Sequence, residues 1–217
     1  MDWDWVWFGI AVVLLGAYGG YQWRRKRRGR DARSEAAARL GWQYDSSDPA
    51  LADRYSGEPF DQVANGRAVH HVFRGEHRDR EATVFQLDFA AAGTGTGGAA
   101  YRVTTVGLPS PKPGVAVSRR GSSRVRGFGL GVREIGDPDF DAAFEVTAED
   151  AAFARDLLMA DVRAWLREDP RAGDTPFRIQ GTEIITWRHG PVDPGDLHTD
   201  VDFLCDLLDR IPREVFA

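Results

Sequence analysis

Ala82-Thr-Val-Phe-Gln-Leu-Asp-Phe89 alternates: Phe85, Leu87 and Phe89 fall on one side of an extended chain, Gln86 and Asp88 on the other. A period of two in a run rich in apolar and aromatic residues predicts a half-buried antiparallel strand. Upstream, Ala68 to Phe73 reads as a second strand, joined to the first by the charged turn Gly75-Glu-His-Arg-Asp-Arg80. Downstream, the loop Gly93-Thr-Gly-Thr-Gly-Gly98 leads into a third strand, Tyr101 to Val106. Leu108-Pro-Ser-Pro-Lys-Pro-Gly114 predicts a proline-rich break. Val115 to Val117 and Phe128 to Ile135 read as short strands on either side of the Arg/Gly/Ser loop 119–127. Phe177 to Trp187 predicts a hairpin turning near Gly181.

Helices frame these strands. Ser34-Glu-Ala-Ala-Ala-Arg-Leu40 has high helix propensity, and Gly41 suits the position just past a helix end. Asp48-Pro49 predicts an N-cap with proline at the first helical position, opening a short turn from Ala50 to Tyr55. Gly136 to Asp141 predicts a turn, and Phe144-Glu-Val146 an extended piece. Thr147, with Asp150 three residues on, predicts the start of one helix running to about Glu168. Its apolar stripe is Phe153, Leu157, Leu158, Val162, Trp165 and Leu166. Asp193-Pro194 caps the last helix, which Leu197, Val201, Leu204, Leu208 and Ile211 line and Pro212 ends. Strands joined mainly by tight turns predict an α+β fold, a largely antiparallel sheet with two main packing helices. The implied divisions are an anchor at 1–28, a helical linker region at 29–59 and an α+β domain at 60–217.

The anchor is the most pronounced feature outside the sheet. From Trp5 to Trp23, 19 residues carry no formal charge. As a helix they span about 28 Å, close to the ~30 Å hydrocarbon core of a bilayer. Trp3, Trp5 and Trp7 crowd one end and Tyr18, Tyr21 and Trp23 the other, as aromatic belts do, with Leu14 and Leu15 in the apolar middle. Arg24, Arg25, Lys26, Arg27 and Arg28 then form a basic collar, while only Asp2, Asp4 and the amino group precede the span. The positive-inside rule predicts an N-terminus outside the cell membrane and the rest of the chain in the cytoplasm. A cleaved signal peptide would need a basic start and a small-residue cleavage site; the start here is acidic and cations follow the apolar run. Gly16 and Gly20 form a G-x-x-x-G match, the spacing that would let two anchors approach as a homodimer.

Charge divides unevenly. The chain has 28 basic and 33 acidic residues, and the first 28 residues hold five of the basic and two of the acidic ones. Residues 29–217 therefore carry a net charge of about −8, which repels nucleic acid and anionic lipid, while the collar favours the bilayer. Cys205 is the single cysteine, so neither an intramolecular disulfide nor a CxxC pattern exists, in keeping with a reducing compartment. It lies in an amphipathic stretch, where a buried structural thiol is expected.

The strings that suggest chemistry lack its context. Gly93-x-Gly95-x-x-Gly98 matches a dinucleotide fingerprint, but Tyr101 to Val106 reads as a strand where a helix is needed. Asp137-x-Asp139-x-Asp141 starts like a calcium loop, yet Ala142 and Ala148 stand where glycine and glutamate belong. His70 and His71 should point to opposite faces of a strand, and no helical His spacing for a metal exists; a set such as His70, Glu81 and His189 would have to converge from distant segments. No G-x-S-x-G or S-x-x-K occurs. The cation-rich loop Arg119 to Arg126 would suit a phosphate or an acidic peptide. No catalytic residue, cofactor or metal is assigned on these grounds.

Several pieces together resemble a family of single-span, membrane-anchored bacterial proteins of high-GC genomes built on a domain of unknown function. They are Leu40-Gly-Trp42, Asp48-Pro-Ala-Leu-Ala52, Gly57-Glu-Pro-Phe60, Val72-Phe-Arg-Gly75, Phe85 to Phe89, Asp139 to Val146, Phe177 to Trp187 and Leu208 to Pro212. The resemblance spans residues 38–217 and rests on aromatic, glycine and turn residues, so it implies a fold and carries no site residues. The expectation is a cytoplasm-facing interaction or scaffolding module at the bilayer with a protein partner. The alternative is an anchored small-ligand sensor or enzyme whose site forms across the sheet.

Overall fold

A computed structural model of the chain describes residues 18, 21, 27, 29–61, 66–89, 98–121 and 132–216. The anchor residues Trp5, Trp7, Leu14, Leu15 and Trp23, the glycines Gly16 and Gly20, and the collar except Arg27 lie outside these. Tyr18, Tyr21 and Arg27 are helical and exposed. No described helix is long and apolar enough to cross a membrane.

The described residues form an α+β fold around one antiparallel sheet of seven strands. In chain order these are β1 (Gln43–Ser47), β2 (Arg67–His77), β3 (Arg80–Phe89), β4 (Ala100–Arg119), β5 (Val132–Arg133), β6 (Phe144–Ala148) and β7 (Phe177–His189). They pair in the order β1-β2-β3-β4-β6-β5, with β7 along the other edge of β4. The helices are α1 (residues 29–39), α2 (Ala50–Arg54), α3 (Pro138–Ala143), α4 (Ala151–Leu157), α5 (Ala160–Glu168) and α6 (Leu197–Leu208). Helices α3 to α6 cover one face, closing over Val84, Val106, Val117, Ile179 and Ile184. On the other face Phe85, Leu87 and Phe89 pack with Tyr101, Val103 and Trp187 under α2, Tyr55 and Phe60.

The alternation in Ala82 to Phe89 is thus real, and β3 sits inside the sheet between β2 and β4. The turn joining β2 to β3 is tighter than the sequence suggests. It is Arg78-Asp79 alone, both at positive φ, a pair of conformations that matches the twist of a two-residue hairpin. Gly75, Glu76 and His77 remain in the ladder. β1 escapes sequence reading because its residues other than Tyr44 are polar and it adds at the edge, against β2.

The proline-rich stretch does not break the chain. β4 runs for 20 residues straight through Pro109, Pro111 and Pro113. It is tolerated because the ladder is thin there: β3 pairs no further than Val106, β6 starts at Val115, and the β7 register shifts on both sides of Lys112. Nor is Phe177 to Trp187 a self-paired hairpin. Both halves of β7 pair with β4, and Gly181, at φ +59, marks the irregularity between them. The strand bends enough there for Thr186 Oγ1 to donate to the Pro176 carbonyl, 2.6 Å away.

The helix expected from Thr147 to Glu168 is divided. Thr147 belongs to β6, and Asp150 is the true cap, accepting from the N–H groups of Ala152 and Phe153. The chain leaves helical geometry at Leu158 and Met159, and Arg163 donates to the freed Leu158 carbonyl at 2.6 Å. The break lets the adjacent Leu157 and Leu158 both be buried, which one continuous surface helix does not readily allow. Asp137 to Asp141, expected as a turn, forms the start of α3, with the Asp137 side chain accepting from Phe140 N.

α1 is fixed to this body. Gly41, at φ +73, ends the helix, and the Trp42 N–H returns to the Ala37 carbonyl at 2.9 Å. Ala37 and Trp42 are both buried. The Trp42 ring lies where a Cβ on Gly75 would stand, only 2.4 Å from it. Gly75→Ala should therefore cost about 1–3 kcal/mol by overpacking, read as a lowered denaturation midpoint by circular dichroism. Trp42→Leu in the same chain should recover part of that loss; additive losses would show that the two do not clash.

Candidate functional site

The residues singled out in the sequence scatter. A bulge at His71, φ +51, breaks the β2–β3 register between His70 and Phe73. The strict alternation that would separate His70 from His71 is lost there, and their ring centroids stand 6.4 Å apart. His71 Nδ1 lies 3.0 Å from the Tyr44 hydroxyl, and burial, with Arg33 and His70 nearby, lowers its pKa. His189 is on β7, separated from β2 by β3 and β4, about 14 Å at strand spacing. Glu81 pairs with Glu76 near the hairpin tip. His70, Glu81 and His189 therefore do not converge, and among the described residues no three His, Cys, Asp or Glu side chains form a metal-ligand group.

The aspartates of the calcium-like string are occupied in structure. Asp141 accepts from the N–H groups of Ile135 and Gly136, and Asp137 pairs with Arg163 at 2.9 Å. The Arg163 hydrogen bond holds the Asp137 carboxyl below the usual carboxylate range. Cys205 is fully buried, and burial pushes its thiol up. Of the cationic loop, Arg119 and Arg120 are described; Arg120 donates to the Asp141 carbonyl at 2.8 Å. Gly93, Gly95 and Arg124 and Arg126 lie outside the described residues.

Two charge clusters were not anticipated. Arg102 on β4 and Arg188 on β7 face each other directly in the ladder. Asp200, in the first turn of α6 and 1% exposed, sits between them. Arg102 Nε donates to its Oδ2 at 2.8 Å, and Arg188 Nε lies 2.8 Å from Oδ1, a close charge contact out of line for a hydrogen bond. The second cluster clasps the β2–β3 tip to the outer face of α6. Asp202, Asp206 and Asp209 recur at helical spacing there. His77 and Arg78 reach Asp202, Arg78 reaches Asp206 at 2.7 Å and Arg80 reaches Asp209 at 2.7 Å. Arg171 joins Asp169 and Asp206 at 2.6 and 2.8 Å. The acidic stripe and the Arg78-Asp79-Arg80 turn are the signals visible in the sequence.

Among the described residues two concave regions stand out. One, of about 710 Å³, lies beside the hairpin tip against Leu108, Leu208, Ile211 and Phe216; its cations are Arg213 and the Arg78 and Arg80 already held by α6. The other, of about 340 Å³, lies between the two ends of β7 and is lined by Glu58, Tyr101, Asp174, Trp187, Arg188 and His189. Behind Trp187 is the fully buried Arg178, whose guanidinium carbon stands 5.4 Å from the Phe60 ring centre and 5.7 Å from that of Trp187. Burial drives its pKa down to about 10, while Asp61, Tyr55 and Glu58 pull the other way. Burial also pushes the Glu58 carboxyl up.

No family model and no curated protein matches the chain. Among solved structures, the chain is similar to the mycobacterial trehalose monomycolate transport factor A, TtfA. The two share 15% identity over 83% of this chain and 94% of that one, with a TM-score of 0.59. At that identity the likeness is one of fold.

Asp200→Asn should leave two largely buried arginines without their counter-charge and cost about 3–5 kcal/mol in chemical denaturation. Asp209→Asn, at the exposed tip contact, should stay within about 1 kcal/mol. Equal losses would show that the buried contact is not the stronger one.

Acid should act through the Arg171 cluster. The Arg171 hydrogen bond holds Asp169 below the ordinary carboxylate range. Burial pushes Asp206 up, but hydrogen bonds from Arg78 and Arg171 outweigh it and leave the group low. Both contribute stability that is present above the unfolded pKa of about 4 and lost as pH falls through the lower folded value. Glu58 has the opposite sign, since a raised carboxyl favours the folded state on protonation. Denaturation midpoints should fall as pH drops below about 4, and less steeply in an Asp169→Asn, Asp206→Asn double variant. Identical slopes would remove the assignment.

Proposed function

We propose that this chain is a single-span membrane protein whose α+β domain works at the cytoplasmic surface as an interaction or scaffolding module. The observation that carries the reading is the join between the charge-free Trp5–Trp23 stretch with its Arg24–Arg28 collar and the domain. Described from residue 29, α1 follows the collar in the sequence, and Trp42 is buried in the core just past its end. A domain that follows the collar so closely in the sequence would sit near the bilayer, which suits docking to a neighbouring membrane protein. The acidic surface, about −8 over residues 29–217, turns it away from anionic headgroups and toward a basic protein face. The similar fold of TtfA, by its name a transport factor, fits an accessory role alongside a membrane transport process. Gly16 and Gly20 would bring two anchors together and pair the modules.

Topology is tested with the full chain fused at its C-terminus to green fluorescent protein or to alkaline phosphatase. A fluorescent protein fusion that lights up and a phosphatase fusion that stays inactive are expected; active phosphatase would overturn the orientation. In-cell crosslinking should then recover a specific membrane-protein neighbour, and recovery of only the chain itself would overturn the scaffolding role.

A further inference from the structure

A basic corner forms where α1 packs on the β1–β2 edge of the sheet. Arg30 and Arg33 lie three residues apart on α1, so both fall on one side of it. Arg30 Nη2 donates to Ser46 Oγ on β1 at 3.2 Å, and Tyr44, two residues before Ser46, shares that face of the strand. The bulge in β2 brings up two histidines. Val69 and Val72 both enter the opposite apolar layer, so His70 and His71 between them both turn to the side that α1 covers. His71 Nδ1 then stands 3.0 Å from the Tyr44 hydroxyl, and the two rings lie 20° from parallel.

Among the described residues no carboxylate pairs with Arg30 or Arg33, although their neighbours Arg39 and Arg74 find partners in Glu35 and in Asp45 and Asp48. Arg33 spends one donor on the Gly29 carbonyl at 3.2 Å, and its Nε, shut off from water, meets no acceptor. Burial raises the pKa of the Tyr44 hydroxyl and lowers that of His71, and the positive charge of Arg33 reaches both. Of the nearby carboxylates, Asp45 is taken by Arg74, and Asp88 accepts from Gln86 Nε2 at 2.8 and 3.0 Å. Two guanidiniums and two imidazoles thus meet at one corner of a domain that is acidic elsewhere.

A planar carboxylate is filled by one guanidinium fork, whereas a phosphate spreads its oxygens around one centre and can take donors arriving from several elements. When His71 is protonated its Nδ1 donates to the Tyr44 oxygen, which leaves the Tyr44 O–H and the His71 Nε2–H as further donors. We infer that this corner of α1, β1 and β2 binds a phosphate group. Arg30 and Arg33 meet its charge, and Tyr44 and His71 donate to it from the sheet. Arg30 stands two residues beyond the last cation of the collar, so a lipid headgroup is one source of the phosphate and a soluble phosphate the other. The lipid source rests on the membrane-anchored reading; the phosphate site rests on the corner alone.

The test uses the full chain in dodecyl maltoside and the phosphorus-31 NMR linewidths of two probes, inorganic phosphate and dihexanoyl phosphatidylglycerol. Acetate, followed by its methyl signal, is the carboxylate control. At least one phosphorus signal should broaden on adding protein, with the apparent affinity weakened tenfold or more by Arg30→Gln and by Arg33→Gln. Arg30 is exposed, so Arg30→Gln should keep the wild-type circular dichroism, and it alone decides if Arg33→Gln fails to fold. Arg213→Gln, at an exposed cation near the C-terminal end, should leave binding unchanged. Tighter binding of the lipid identifies a headgroup, and tighter binding of inorganic phosphate a soluble ligand. Broadening of neither probe, affinity unchanged by Arg30→Gln, an equal loss in Arg213→Gln, or acetate binding as tightly as both phosphates would each overturn the proposal. The topology fusions report on the anchor separately, so failure of one reading does not carry the other with it.

Discussion

Two arginines placed side by side in a ladder repel unless something stands between them. In this fold Asp200 does so, reaching down from the first turn of α6 to Arg102 and Arg188. The contact sets the position of the helix on the sheet. Once α6 is seated there, Leu197, Val201, Leu204 and Leu208 enter the core, and Asp202, Asp206 and Asp209 are turned to the β2–β3 tip. The inner aspartate positions the helix, and the outer ones draw in the hairpin. The inner contact is the costly one to disturb, because its charges are withdrawn from water.

The second organising feature is the ribbon of β4 and β7. It passes through the whole sheet, joining the part built on β3 to the part built on β6. Prolines and register shifts loosen it in the middle, between Gly107 and Val115, and Gly181 bends its second strand. That bend creates the groove where Asp174 meets His189. The same irregularities that look like interruptions in the sequence are therefore what shape the surface.

Reading by periodicity works where one period dominates. β3 alternates cleanly and α6 shows its stripe, so both are legible. Apart from Tyr44, β1 is polar, and it lies at an edge, so Gln43 to Ser47 carries no apolar alternation to detect. Thr147 and Asp150 are both plausible caps, and the choice is made by β6 pairing with β4, a partner distant in the chain. The charge clusters are illegible for the same reason. Arg102 and Asp200 are 98 residues apart, and Arg78 and Asp206 are 128 apart. A net charge of about −8 records that acids are in excess and says nothing of which cations they meet. The groove at the ends of β7 belongs to this class too, since Glu58, Tyr101 and His189 come from three separate parts of the chain.

The wide separation of Arg102 from Asp200 also sets an order of events at the ribosome. Chain growth runs at about 5–20 residues per second, so roughly 5–20 s pass between synthesis of the arginine and arrival of its aspartate. For much of that interval β3 and β4 have been made but β7 and α6 have not, and one edge of β4 along with the helix-facing side of the sheet lacks its cover. Local hairpins such as β2–β3 close in microseconds, while completion of the sheet waits for the last quarter of the chain. The nascent domain thus spends seconds as an open half-sheet, the stage at which a chaperone has most to protect.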